Sequence, residues 1–73
     1  MSEALPTQPN EIFELIIKAD EKLKYATAER GDARAEQARA LLERAREAAK
    51  AISNDALISQ AETRLSDLDA AAG

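Results

Sequence analysis

DARAEQARALLERAREAAKAI, residues 32–52, is the stretch whose reading decides the fold. It contains no glycine, no proline and no valine. Ala35, Ala38, Leu41, Leu42, Ala45, Ala49 and Ile52 recur at intervals of three and four, which places them on one face of a helix. Arg34, Glu36, Arg39, Glu43, Arg44, Glu47 and Lys50 occupy most of the remaining surface. Alanine is the strongest helix former, and Leu, Glu, Arg and Lys follow closely. A stripe made largely of methyl groups also lets neighbouring helices approach closely. The spacing therefore predicts the middle helix of an antiparallel set.

Working outward, two punctuation marks bound this helix. Before it stands Gly31-Asp32. The glycine is expected at the left-handed position that ends helix one, and the aspartate is expected to cap helix two. After it stands Ser53-Asn54-Asp55, where Ser53 or Asn54 caps a third helix and Asp55 complements its positive end. Connections this short force antiparallel hairpins. Helix one is expected from Glu11, capped by Asn10, to about Arg30, with Ile12, Leu15, Ile16, Ala19, Leu23 and Ala26 inward. Helix three is expected over residues 55–68 with Leu57, Ile58, Ala61, Leu65 and Leu68 inward. Valine is absent and no long apolar–polar alternation occurs, so no strand competes. The fold class is all-α, an antiparallel three-helix bundle over residues 10–69. Residues 1–9, with Pro6 and Pro9, read as a flexible tail. Residues 70–73 read as a frayed C-terminus and a natural end.

Composition narrows the function. Seventy-three residues make one domain, and the net charge is −4. An acidic chain lacks the basic surface that phosphate neutralisation needs, which argues against nucleic acid. The chain has neither histidine nor cysteine, so the commonest general base, metal ligands and thiol nucleophile are missing. The Glu43–Glu47 pair, one turn apart, lies among Arg39, Arg46 and Lys50 and reads as a solvated, salt-bridged face. Two glycines cannot build a phosphate loop. The expectation is a non-enzyme with no cofactor, metal or small-molecule substrate. MSEALPTQPNE has no basic region or long apolar core, so no signal peptide is expected, and no apolar run reaches bilayer length. A cytoplasmic location is expected.

Three features point to a contact surface. Phe13 and Ile17 fall about 100° and 140° round from Ile12, beside the inner stripe. They either close one end of the core or form an exposed apolar patch for a partner or a second copy. Tyr25 lies nearly opposite the stripe, where an exposed aromatic would extend that surface. Arg39, Arg46 and Lys50 line one edge of helix two. They form either a basic ridge for an acidic peptide or a ridge neutralised by Glu36, Glu43 and Asp20.

From Lys22 to Leu68 the order of signals resembles tetratricopeptide-type helical hairpins. The chain shows a helix closing at Gly31-Asp32, then Ala38-x-x-x-Leu42-x-x-Ala45, a turn at Asn54-Asp55, and the helix ALISQAETRLSDL. In that family the alanine spacing marks the second helix of a repeat. The first helix here lacks the large aromatic and the Leu-Gly pair of a first repeat helix. The gap from Gly31 to Ala38 is also longer than usual. The resemblance implies a non-catalytic scaffold that binds a segment of another protein. The chain is also similar to the microtubule-interacting and transport domain, a three-helix bundle that holds partner helices beside its third helix. That likeness implies a groove lined by Leu57, Ala61, Glu62 and Leu65.

Together these readings predict a protein-interaction module acting through an apolar patch or groove on helix one. The alternative is a structural element that completes its core by dimerising.

Overall fold

A computed structural model describes residues 5–24 and 31–72. It contains α1 (Pro9–Lys24), α2 (Gly31–Ala51) and α3 (Asp55–Ala72). The bundle is all-α, and among the described residues there is no strand. α2 packs extensively against both neighbours, whereas α1 and α3 meet only sparsely. α2 is thus the middle helix, as its sequence predicts.

The cause lies in the buried positions. Ala38, Leu42, Ala45, Ala48 and Ala49 of α2 are fully buried. They meet Ile12, Ile16 and Ala19 from α1, and Leu57, Ala61, Leu65 and Leu68 from α3, in one cluster. Leu15, Leu23, Ala35, Leu41, Ile52 and Ile58 are half-buried around it. No polar or charged side chain is buried among the described residues. Ala48 lies outside the stripe read from the sequence, yet it is buried completely. A helix sandwiched between two neighbours buries a wider arc than a one-sided stripe assumes.

The helix ends differ from expectation in instructive ways. α1 begins before Glu11, because the Gln8 carbonyl accepts from the N–H groups of Glu11 (3.0 Å) and Ile12 (3.1 Å). Pro9 then opens the helix, where its fixed φ is already helical and its missing N–H costs nothing. Asn10 is inside the first turn instead of capping it. The expected end of helix one near Arg30 and its inward Ala26 lie outside the described residues. Gly31 and Asp32 belong to α2, and Gly31 does not take a positive φ. A glycine is cheap in a first turn, whose N–H groups have no intrahelical partner anyway. α3 runs through Ala72, past the expected end at Leu68, because the alanines at 70–72 have the highest helix propensity.

The left-handed residue is in the other turn. Ser53 has φ 56° and ends α2. Its N–H donates to the Lys50 carbonyl (3.0 Å), and the Asn54 N–H donates to the Ala49 carbonyl (2.9 Å). This is the double bond pattern of a Schellman end. Asn54 then starts α3: its Oδ1 accepts from the Leu57 N–H at 3.1 Å, and its carbonyl accepts from Ile58. One asparagine therefore closes α2 with its backbone and opens α3 with its side chain. That is how three residues reverse the chain.

Candidate protein-interaction surface

Ile12, Ile16 and Ala19 define the inward face of α1 and are fully buried. Phe13 and Ile17, one turn apart, are not: they remain 42% and 38% exposed. The edge of α1 that they occupy follows from Asp20. Asp20 falls about 20° from Phe13 and 60° from Ile17 on the helix wheel. Its carboxylate receives Arg64 Nε of α3 at 2.9 and 3.2 Å. The Phe13–Ile17 ridge thus lies on the edge of α1 that turns toward α3. It stays open because α1 and α3 touch so little. Phe13 and Ile17 therefore do not close the core.

Among the described residues, Leu5 is the other large apolar side chain left exposed, at 40%. It lies on the opposite side of α1, in a hollow that Pro6, Thr7, Glu11, Leu15, Lys18 and Arg44 also line. Leu5 is therefore not part of the Phe13–Ile17 ridge. Tyr25, expected to extend the surface, lies outside the described residues.

Arg39, Arg46 and Lys50 of α2 are engaged. Arg39 Nη2 contacts Asp69 of α3 at 2.7 Å. Glu47 sits 3.6 Å from Arg46 Nε and 3.7 Å from Lys50 Nζ. Arg46 Nε is buried and has no hydrogen bond, since 3.6 Å is beyond bonding reach. Each cation of the ridge has an acidic neighbour, but none of these is Glu36, Glu43 or Asp20. Asp69 and Glu47 replace Glu36 and Glu43, and Asp20 is committed to Arg64. Cross-helix register decides the pairs of Asp69 and Asp20, which spacing along one helix does not reveal, whereas Glu47 is within one turn of Arg46 and Lys50 on α2 itself.

The groove inferred beside helix three meets a similar obstacle. Leu57, Ala61 and Leu65 are buried in the bundle core, and Glu62 alone of that set is exposed. Among the described residues no three Asp or Glu side chains gather as metal ligands would. No described helix is long and apolar enough to cross a membrane.

No known family, curated protein or solved structure matches the chain.

Proposed function

We propose that this chain is a small, non-catalytic protein-interaction module that binds a segment of another protein through α1. The exposure of Phe13 and Ile17 carries this reading: two large apolar side chains, one turn apart, stay in water while their neighbours Ile12 and Ile16 are fully buried. Such a ridge suits the apolar face of a partner helix laid alongside it. The non-catalytic part draws support from the absence of histidine and cysteine. The tetratricopeptide-like alanine spacing accords with a scaffold role, and a chain without cysteine accords with the cytoplasm.

Magnitude limits what the ridge does by itself. Full burial of such a side chain is worth ~1.5–3 kcal/mol. With roughly two fifths of each still exposed, covering both yields ~1–2.5 kcal/mol, or about one to two decades of affinity. The ridge is therefore an anchor within a larger contact, and transient binding is the natural regime.

The test replaces both residues with lysine. Serine would strip out the buried part of each side chain, whereas a lysine stem keeps it covered while its charge enters the patch. Peptides selected from a random display library against the parent should carry apolar residues at helical spacing. They should lose binding to Phe13→Lys, Ile17→Lys, whose helical signal is retained. Selected peptides that bind parent and variant equally would move the site elsewhere. Sedimentation of the parent over a concentration series separates partner binding from self-association: a mass that doubles for the parent and stays monomeric for the variant assigns the ridge to a homodimer.

A further inference from the structure

Of the nine described basic residues, Arg39, Arg46, Lys50 and Arg64 are held in ion pairs, and Lys24 and Arg44 have interactions of their own. Lys18, Lys22 and Arg34 make no ion pair or hydrogen bond among the described residues. All three line one groove of about 390 Å³, together with Glu21 and Leu41. Lys18 and Lys22 are one turn apart on α1, and Arg34 comes from α2, so the groove follows the seam between those helices. In a chain of net charge −4, the unengaged cations among the described residues are concentrated on one seam instead of being spread over the surface.

We infer that this groove is a second docking surface, for an acidic, amphipathic segment of another protein. Lys22, Arg34 and Leu41 are half-buried, so the stems of the two cations cover the apolar edge of the seam. Their charged heads, which have no partner among the described residues, are left to meet carboxylates from outside. Arg34 supplies a fork that receives a carboxylate through two donors, and the lysines act as point charges beside it. Leu41 offers a place for one apolar side chain of the ligand. A nucleic acid fits less well: three cations neutralise few phosphates, Glu21 lies in the lining, and the surrounding protein is acidic.

This groove is distinct from the Phe13–Ile17 ridge. Lys18 lies about 140° round α1 from Phe13 and about 100° from Ile17. It therefore stands or falls independently of the reading proposed above.

The probe is a short fluorescent helical peptide of glutamate, alanine and leucine, with a lysine-for-glutamate version as control. Anisotropy titrations at about 50 mM salt, where the screening length exceeds ~10 Å, favour detection. The expected result is binding of the acidic peptide and not of the basic one. Lys22→Glu and Arg34→Glu should each weaken it about tenfold or more, and raising the salt should weaken it further. Phe13→Lys, Ile17→Lys should not weaken it. The neutral variants Lys22→Gln and Arg34→Gln, closer to the parent in stability, should give smaller losses in the same direction. No binding by the parent, equal binding by all four charge variants, or tighter binding of a duplex oligonucleotide than of the peptide would each overturn the inference.

Discussion

Ser53 holds a conformation that its side chain does not favour. An L-residue in the left-handed region costs ~1–2 kcal/mol, because Cβ crowds the following carbonyl. Ser53 accepts φ 56° because the two Schellman bonds and the cap on Asn54 form only if the chain turns there. Glycine would relieve the crowding while losing ~0.5–1 kcal/mol to greater freedom in the unfolded chain. Ser53→Gly should therefore stabilise the protein by ~0.5–1 kcal/mol net. Asn54→Ala should have the opposite effect, costing ~1 kcal/mol through the lost bond to the Leu57 N–H. Urea melts of the two single variants check both signs. A destabilised Ser53→Gly would mean that the serine hydroxyl, and not the backbone angle, matters in this turn.

At the scale of the element, α2 is a wall with two faces. Ala38, Ala45, Ala48 and Ala49 keep it thin enough for α1 and α3 to pack closely on either side. Ala45→Leu and Ala48→Leu should each destabilise by ~1–3 kcal/mol, because a larger side chain in a close contact drives its neighbours off their rotamers. Ala40→Leu, at an exposed position of the same helix, is the control and should change little. Thermal melts that ranked Ala48→Leu with Ala40→Leu would place position 48 outside the packed interface. The two buried alanines also mark what was legible in the sequence. Ala45 follows from the three-and-four spacing. Ala48 does not, because periodicity reports the centre of a buried arc and not its width. The off-stripe position of Phe13 and Ile17 was readable for the same periodic reason. Their exposure was not, because it depends on how far α3 stands from α1. The cross-helix ion pairs escaped prediction, whereas Glu47 beside Arg46 and Lys50 was readable as a salt-bridged face. Arg39 has Glu36 and Glu43 on its own helix and yet pairs with Asp69 across the bundle.

For the molecule as a whole, cohesion runs through α2, and the α1–α3 seam is its weakest joint. Asp20 and Arg64 bridge that seam with two bonds from Nε, and Arg64 is further steadied by its Nη1 donating to the Gln60 carbonyl at 3.3 Å. Both side chains are substantially exposed, at 42% and 29%. Solvent screening and the entropy of holding two side chains therefore reduce their attraction to the ~0.2–1 kcal/mol usual for surface pairs. The fixed geometry argues for the upper half of that range. A double-mutant cycle with Asp20→Asn and Arg64→Gln should give a coupling of ~0.5–1 kcal/mol at low salt. The coupling should shrink toward zero near 1 M salt, where charges are screened within ~3 Å. Each single variant should remain folded, because α2 holds α1 and α3 independently of the bridge. A coupling above ~2 kcal/mol would put the pair in a desolvated interface and make the seam a principal support. Absence of coupling at low salt would mean that α3 is held by α2 alone. The ridge of Phe13 and Ile17 would then border a joint that opens without any charge to restrain it.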